Sequence, residues 1–298
     1  MEALGHATVA PGSGYSILIL TKDEEINIEE CLLSCASCDD VHVLDSGSAD
    51  ATRDIAAAMG AGVHQHGFES FGRQRNWAID NIPVHYEWVL HLDADERLTP
   101  DLDAELRRIV EAGVGEAGYF VPSKLIFMGQ WMRHTAGPMY QVRFFHRQRL
   151  RFVDHGHGQR EQTQGALGTV CAAYLHESFS KGLDSWFEKH NRYSSREAAE
   201  AVASLSGRAP WRDLISRNPI RRRRALKRFA YTLPARAELR WIYMAVIRRG
   251  LLDGPAGLAY ISLVVTYERM TTSKMKWLRS GGDRKALAAD QDRQVSGH

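Results

Sequence analysis

Apolar residues in the first hundred positions fall into short runs separated by longer stretches of mixed polarity. Runs of this length, bounded by Gly, Ser or Asp, predict buried strands over 15–21, 41–44, 61–66 and 88–93. The intervening stretches predict helices over 22–38 and 51–59 and a third helix from about residue 71. Strands and helices alternating in this order predict parallel pairing, and hence an open α/β sheet with its ligand crevice at the carboxyl ends of the strands.

The chain continues with a helix and two further strands. Residues 100–112 place Leu102, Leu106 and Ile109 on one face, an ordinary pattern for a helix that packs on a core. Strands are predicted over 119–127 and 140–145, and the loop between them carries Trp131. We expect this tryptophan to pack against the protein, although an aromatic ring can also stack on a sugar.

Polar side chains follow three predicted strands at the edge where the crevice of such a sheet forms. Thr21, Asp45 and Asp93 occupy these positions, and Asp95 lies two residues beyond Asp93. Because alternate residues of a strand point to one side, the Asp93 and Asp95 carboxylates are expected to converge. Adjacent carboxylates favour a cation between them, and oxygen ligands suit Mg²⁺ or Mn²⁺. A surface acidic turn is the alternative interpretation.

Two arginines stand at the start of the third predicted helix. The guanidinium groups of Arg73 and Arg75 match phosphate oxygens in geometry and charge. For either residue taken alone, a solvated helix start is the alternative.

Charge is unevenly distributed along the 298 residues. The net charge of +2 divides into −11 for residues 1–206, +11 for 207–249 and +2 for 250–298. The middle block has 13 Lys and Arg against two Asp and Glu, and it includes the consecutive arginines Arg221, Arg222, Arg223 and Arg224. Such a block suggests an anionic lipid surface, nucleic acid or a solvated face, and no nucleic-acid-binding module is recognisable beside it.

The cysteines predict a structural role. Cys31, Cys35 and Cys38 are spaced as one face of a helix, which favours a buried apolar stripe; a zinc site completed by Cys171 is the alternative. The first 14 residues lack the apolar core of a signal peptide, so we expect the catalytic part to stay in the cytoplasm. The sequence has no run of about 20 apolar residues that predicts a membrane span.

Four sequence motifs, in order, resemble those of the family-2 glycosyltransferases, and within that family the lipopolysaccharide-core and exopolysaccharide enzymes. The first has Asp23 where that family usually has Asn. The motifs are Thr21-Lys22-Asp23-Glu24, Asp45-Ser46-Gly47-Ser48-x-Asp50-x-Thr52, Gly72-x-Gln74-Arg75-Asn76-x-Ala78 and Asp93-x-Asp95-Glu96. Further along, Arg143-Phe144-Phe145 resembles the family's Arg-Leu-Phe strand.

The resemblance implies an α/β GT-A fold, with a mixed, mostly parallel sheet and flanking helices. It implies transfer of a sugar, with inversion, from a nucleotide-diphosphate donor, expected to be a UDP-sugar, to a lipid-linked saccharide or a lipopolysaccharide core. It also implies residue roles: Thr21 and Glu24 border the nucleotide, Asp45 holds the base or ribose, Asp93 holds the ribose or the metal, and Asp95 holds Mg²⁺ or Mn²⁺ on the diphosphate. Arg73 and Arg75 are then expected at the phosphates.

Inversion also requires a carboxylate that takes the proton of the attacking hydroxyl. The family carries His-Glu or Glu-Asp after the Arg-Leu-Phe strand, whereas this chain departs from that pattern over 152–161. Asp154 and Glu161 are the candidates, with Asp154 preferred and Glu177 as a third. His155, His157 and His176 can supplement the site.

The C-terminal third is expected to be helical and to dock on a membrane. Apolar segments at 239–247 and 257–265 carry interleaved aromatics, Trp241 among them, and lie beside the basic block. Basic residues next to short apolar helices are typical of segments that lie in a membrane interface. We therefore predict a flexible N-terminus at 1–14, a catalytic domain at 15–180, a membrane-docking region at 181–282 and a polar tail at 283–298, on the cytoplasmic face of a bacterial inner membrane.

Two other functions remain compatible with the sequence. The Asp93 and Asp95 pair could serve a metal-dependent phosphotransferase or phosphatase with an aspartyl nucleophile, although those enzymes favour Thr or Val where this chain has Arg97. A nucleotide-binding or lipid-binding protein that has lost turnover is also compatible with the unusual 152–161 segment.

Overall fold

The computed structural model describes residues 14–155, 158–205 and 218–280, together with 213, 215 and 216. These residues form two compact units. Unit 1 contains the chain up to Trp131 and Gly137–Ser180, whereas unit 2 contains Met132–Ala136 and the chain from Lys181. The predicted polar tail and nearly all of the predicted N-terminal segment lie outside the described residues.

Unit 1 is a mixed sheet with flanking helices. Its strands are β1 (Ser16–Thr21), β2 (Val41–Asp45), β3 (Gly62–Gln65), β4 (Trp88–Asp93), β5 (Glu96–Arg97), β6 (Gly118–Phe127), β7 (Gln130–Trp131), β8 (Met139–His146), β9 (Arg151–His155), β10 (Gly158–Gln162), β11 (Leu167–Thr169) and β12 (Tyr174–His176). Its helices are α1 (Ile28–Ser34), α2 (Thr52–Ala58), α3 (Phe71–Asn81) and α4 (Pro100–Glu111).

The main sheet has the strand order β3-β2-β1-β4-β8-β6-β12-β5, with β7 and β11 also paired to β6. Strands β1 to β4 pair in parallel, as the alternation of strands and helices predicts. Strand β8 then runs antiparallel to both β4 and β6, which makes the sheet mixed. Strands β9 and β10 form a separate antiparallel hairpin.

Helices cover both faces of the sheet, which explains why the strands appear in the sequence as continuous apolar runs. Ile17 and Ile19 of β1 point to one face and pack with residues of α1 and α4, including Cys31 and Leu106. Leu18 points to the opposite face and packs with residues of α3. Successive residues of one strand therefore enter two different cores.

Helix α1 is shorter than the sequence predicts, and this prediction was wrong at both ends. The acids at 23–25 lie in the loop before the helix rather than in its first turn, which holds Glu29 and Glu30. The backbone N–H groups of residues 23–25 donate instead to side chains of the loop after β2. These long-range hydrogen bonds compete with helix formation and delay the start of α1.

Three of the four cysteines occupy the positions that the stripe predicts. Cys31 and Cys35 are buried in the core between the sheet and α1, and Cys38 packs against its edge. Cys171 is exposed. The short apolar thiols thus serve as core side chains.

Unit 2 is helical. It contains α5 (Gly182–Leu205), α6 (Pro219–Ala230), α7 (Arg236–Ile242), a π-helical turn (Tyr243–Ile247), a 3-10 turn (Gly250–Asp253) and α8 (Gly254–Arg279). Helices α5 and α7 both pack on α8. Within the described part of the chain, no helix has the length and apolar character needed to cross a bilayer.

Segment Met132–Ala136 is fixed to the rest of unit 2 by one buried carboxylate. Asp253 accepts hydrogen bonds from the His134 N–H at 3.0 Å and from the Thr135 N–H and hydroxyl, each at 2.8 Å. Arg248 donates to the His134 and Ala136 carbonyls. The predicted loop between β6 and β8 therefore includes a well-bonded segment.

Candidate active site

The register of the sheet brings the predicted polar residues to one edge. Thr21 pairs with Asp45 across β1 and β2, and Leu20 pairs with Asp93 across β1 and β4. The Thr21 hydroxyl donates to Asp45 Oδ1 at 3.2 Å. Three separate sequence segments thus end side by side at the carboxyl edge of the parallel strands.

The Asp45 carboxylate is fully buried and organises the loop that follows it. The Gly47 and Ser48 N–H groups both donate to Oδ2 at 2.9 Å, and the Ser48 hydroxyl donates to Oδ1. These bonds hold the loop in a tight turn against the end of β1. Asp45 thus fixes the conformation of the loop after β2.

Asp23 occupies a backbone conformation that explains its residue type. Its φ is +52°, in the left-handed region, where Asn and Asp are the best tolerated of the non-glycine residues. Its N–H donates to the Ser48 hydroxyl at 2.8 Å, and its Oδ1 accepts from the Ala49 N–H at 2.7 Å. An aspartate can therefore replace asparagine here and still join the first two loops.

The Gly-x-Gln-Arg-Asn motif links α3 to its surroundings. A Cβ at Gly72 would lie 2.9 Å from Asp154 Oδ1, so α3 and β9 could not approach so closely with a larger residue. The Gln74 amide donates to the Ser46 hydroxyl at 3.1 Å. Asn76 donates to the Phe152 carbonyl and accepts from its N–H. The motif thus fixes the position of Arg75 between the loop after β2 and the β9–β10 hairpin.

Two buried arginines converge on Asp93. Arg75 Nη2 lies 3.2 Å from Oδ1 of Asp93, and Arg143 Nη2 lies 2.8 Å from Oδ2. Arg143 also contacts Glu96 Oε1 at 2.6 Å, and its guanidinium lies over the Tyr174 ring at 5.6 Å. The Asp93 side chain is 41% exposed, whereas Arg75 and Arg143 are 4% and 3% exposed. Two buried guanidinium groups therefore pair with a carboxylate that is itself partly exposed to solvent.

The charges of this cluster change its titration. Burial alone would raise the pKa of Asp93, but the Arg143 and Arg75 guanidinium groups hold that pKa well below its usual range. Burial raises the pKa of Glu96 to about 7, although Arg143 opposes the shift. Burial and the charge of Arg143 lower the pKa of Arg75 to about 10. Asp93 is therefore ionised at neutral pH.

Arg75 retains hydrogen-bonding capacity beyond its contact with Asp93. Its Nε and Nη1 are buried and have no hydrogen-bond partner among the described residues. A buried guanidinium with free donors is costly, because its N–H groups have lost water without replacement. Arg75 therefore has unused donors in the buried layer at the end of β4.

Asp95 has a different partner from Asp93. Its Oδ2 lies 3.3 Å from Nε2 of His176, and its carbonyl accepts from the Glu177 N–H at 2.8 Å. Antiparallel pairing of β12 with β5 brings His176 to this position. Burial opposes protonation of the imidazole, but the adjacent Asp95 carboxylate raises the pKa of His176.

The structure places the three candidate bases in different surroundings. Asp154 accepts from the Ser70 hydroxyl at 2.8 Å and from the Gly72 N–H at 3.1 Å, so it caps the start of α3. Glu161 lies directly opposite Phe152 in the β9–β10 hairpin, and the Phe152 ring lies 5.9 Å from the Arg75 guanidinium carbon. Glu177 follows β12, and burial raises its pKa.

Several predicted residues are not brought to this cluster. Arg73 is exposed and pairs with Glu69, four residues earlier and outside α3. Glu24 accepts from the Asn27 amide at 2.6 Å, near the loop after β2. Trp131 is 37% exposed, with the Lys124 ammonium 5.0 Å from its ring centroid. His157 lies outside the described residues, as does the side chain of His155.

The sequence alone does not predict a role in this cluster for Arg143, Glu96 or Tyr174. The sequence does draw attention to Arg143 and Glu96, since each belongs to a motif that resembles one of the family's motifs. No sequence motif points to Tyr174, because this residue reaches the cluster through the pairing of β12 with β6. His176 was named only as a supplementary group.

The chain was compared with protein families and known proteins. The model of "Glycosyl transferase family 2" matches residues 16–181, more than half of the chain. An uncharacterized glycosyltransferase of Rickettsia typhi is 36% identical over 95 residues, which are 32% of this chain and 32% of that protein. The lipopolysaccharide core biosynthesis glycosyltransferase LpsC of Rhizobium meliloti is 24% identical over 208 residues, 65% of this chain and 74% of LpsC.

The solved structures overlap only in part. Glucosyl-3-phosphoglycerate synthase from Mycobacterium tuberculosis, in complex with Mn²⁺ and UDP-glucose, is 23% identical over 39% of this chain and 44% of its own, with a TM-score of 0.30. The family match, however, covers nearly all of unit 1 with its mixed GT-A sheet, and the chain belongs to glycosyl transferase family 2.

Proposed function

We propose that this protein transfers a sugar from a nucleoside diphosphate donor, with uridine as the base, to a saccharide acceptor with inversion at the anomeric carbon. The observation that carries the proposal is the Arg75 guanidinium, buried beside Asp93 with two free donor nitrogens. Cleavage of a sugar–diphosphate bond builds negative charge on the leaving diphosphate. Fixed cationic donors at that point stabilise the transition state more than the ground state.

A divalent cation fits the second half of the site. Asp95 and His176 present a carboxylate oxygen and an imidazole nitrogen only 3.3 Å apart, a donor pair that suits Mn²⁺ better than Mg²⁺. No group of three or more His, Cys, Asp and Glu converges in the described part of the chain, so the diphosphate and water would complete the coordination. When bound, the cation neutralises charge on the leaving diphosphate. His176 must be neutral to ligate it.

Glu161 is the carboxylate best placed to act as the general base. Side chains of directly opposed residues in a hairpin lie on the same face, so Glu161 shares the face on which Phe152 contacts Arg75. Asp154, the residue preferred from the sequence, is committed to the Ser70 hydroxyl and the Gly72 N–H. A base that must accept a proton during turnover is better kept free of such structural bonds.

The acceptor that we propose is a lipid-linked saccharide or a lipopolysaccharide core, reached at the cytoplasmic face of a bacterial inner membrane. Support comes from LpsC, whose name assigns it to lipopolysaccharide core biosynthesis and which aligns with 65% of this chain. The phosphotransferase alternative is set aside, because the family match gives it no support and two arginines hold Asp93.

The deciding experiment combines binding and turnover. Full-length protein is screened by thermal shift with UDP and UDP-sugars, with and without Mn²⁺, and donor hydrolysis is then measured on any sugar that stabilises it. A ligand at 100 times its Kd should stabilise the fold by about 2.7 kcal/mol. No stabilisation by any nucleotide in folded protein would refute the proposal, and binding without transfer or hydrolysis would favour a protein that has lost turnover.

Asp95→Ala tests the cation site directly. We expect it to abolish Mn²⁺-dependent activity and the Mn²⁺-dependent part of the UDP thermal shift, while the variant stays folded. Asp54→Ala, which removes an exposed aspartate from α2, is the matched control. Retained metal-dependent activity in Asp95→Ala would remove the metal role from this residue.

A further inference from the structure

Unit 2 exposes a cluster of large apolar side chains that its own core does not use. The cluster runs from α7 through the π-helical and 3-10 turns into the start of α8. We call it the apolar face, and its members, 41–69% exposed, are Leu239, Ile242, Tyr243, Val246, Ile247, Leu251, Leu252 and Leu258. Eight such residues within 20 positions form a far denser exposed group than the single apolar residues common on protein surfaces.

The opposite side of the same helical segment forms the core of unit 2. Ala237, Met244 and Ala245 are buried there and pack with Ile261 and Val265 of α8. Within 239–247 the exposed members lie at i, i+3, i+4, i+7 and i+8, as one side of a helix requires. The segment is therefore apolar on two sides, and only one of these sides is buried in the core of unit 2.

The charges around the apolar face are positive. Arg240 and Arg249 are exposed within it, and the Arg240 guanidinium carbon lies 5.7 Å from the Tyr243 ring centroid. The acids of residues 235–258 are both engaged, since Glu238 pairs with Arg269 at 3.1 Å and Asp253 is buried under segment 132–136. The face therefore presents aliphatic side chains with a cationic border.

We infer that the apolar face inserts into the interfacial layer of a membrane that contains anionic lipid. Short apolar helical segments bordered by arginines, with tyrosine and tryptophan at their edge, have the composition of elements that enter a bilayer by about 5–10 Å. Trp241, 39% exposed, stands within the same stretch. The arginine border distinguishes this occupant from a second apolar protein surface, because lipid phosphates neutralise it.

The exposed side chains of unit 2 define the membrane-docking element more closely than the sequence does. The sequence predicts docking by the basic block together with apolar segments at 239–247 and 257–265, whereas the exposed side chains point to residues 239–258 as the inserting element. Leu251 and Leu252 belong to a 3-10 turn and were not expected to contribute. The inference does not depend on the chemistry of unit 1, so failure of either proposal leaves the other intact.

The test is partition of the full-length protein onto vesicles of phosphatidylcholine with and without phosphatidylglycerol. Wild type should sediment with the anionic vesicles, and Leu252→Asp and Ile247→Asp should each lower the partition coefficient by about tenfold or more, since each places a charge in the interface. Leu33→Asp is the matched control, because Leu33 is 59% exposed on α1 in unit 1. It should partition like wild type.

Folding of each variant is checked by circular dichroism and thermal unfolding, and Leu252→Ser serves if the aspartate variant does not fold. Unchanged partition of folded Leu252 and Ile247 variants would overturn the inference. It would also be overturned if wild type is a dimer in solution and Leu252→Asp yields a monomer that binds vesicles as well as before. In that case the face would be an interface between two copies of the chain.

Discussion

Glu161→Gln should reduce kcat by at least about 10²-fold while leaving donor affinity nearly unchanged, because a general base contributes about 10²- to 10⁴-fold. Glutamine keeps the shape of the side chain but cannot accept the proton of the acceptor hydroxyl. Glu161 lies opposite Phe152, which contacts Arg75. The loss should therefore appear in turnover and spare the binding of the nucleotide.

The matched variant is Asp154→Ala, on the neighbouring strand of the same hairpin. It removes two hydrogen bonds, to the Ser70 hydroxyl at 2.8 Å and the Gly72 N–H at 3.1 Å. A net hydrogen bond contributes about 1 kcal/mol and a helix cap about 0.5–2 kcal/mol. Because the Asp154 side chain is exposed, we expect a loss of about 1–2 kcal/mol in the free energy of unfolding, with kcat reduced by less than about tenfold.

Two measurements separate these outcomes. Steady-state transfer with varied donor and acceptor gives kcat and KM for each variant, and urea unfolding followed by circular dichroism gives the stability. The opposite pattern would refute the assignment: a stable Asp154→Asn protein without turnover, together with near-normal kcat in Glu161→Gln. An effect of Glu161→Gln confined to KM would equally remove its role as the base.

Two further predictions concern stability and docking. Burial would raise the pKa of Asp40, but bonds from His42, Ser16 and the His85 N–H lower it from 3.8 to about 2. This group therefore stabilises the fold by about 2 kcal/mol above pH 4, and the stability is lost as pH falls towards 2. In chemical unfolding, the free energy of unfolding of Asp40→Asn should be lower than that of wild type, and this difference should shrink as pH falls over that interval. A difference that stays constant would contradict the lowered pKa of Asp40. Replacing Arg221–Arg224 with Ser should weaken binding to anionic vesicles by up to about 10³-fold at low salt, because each arginine near the surface contributes about 1 kcal/mol. Unchanged partition onto these vesicles would exclude electrostatic docking by these arginines.

The strands and their polar ends could be predicted because the physics behind them is local. Continuous apolar runs mark β1, β2 and β4, and parallel pairing requires that Thr21, Asp45 and Asp93 meet at one edge. The burial of Cys31 and Cys35 followed from helical spacing, whereas Cys38 lies beyond the end of α1 and is only partly buried. Each of these features depends on the residues of one short segment and a general rule of packing.

Features that depend on distant partners could not be predicted in the same way. Helix α1 begins late because its upstream loop bonds to side chains of residues 48–52, more than 20 positions away. Arg143 lies 50 positions from Asp93, and His176 lies 81 positions from Asp95. The sequence shows these residue types, but only the pairing of β4 with β8 and of β5 with β12 gives them partners.

The different partners of Asp93 and Asp95 have an electrostatic reason. If Asp93 turned to a cation shared with Asp95, the buried Arg75 guanidinium would lose its ion pair with Asp93, and an unpaired buried charge is costly. Asp93 therefore balances the two arginines, while Asp95, paired with His176, is the carboxylate that the proposed function assigns to the metal. In the proposed function the site therefore takes up a cation while Asp93 stays paired with Arg75 and Arg143.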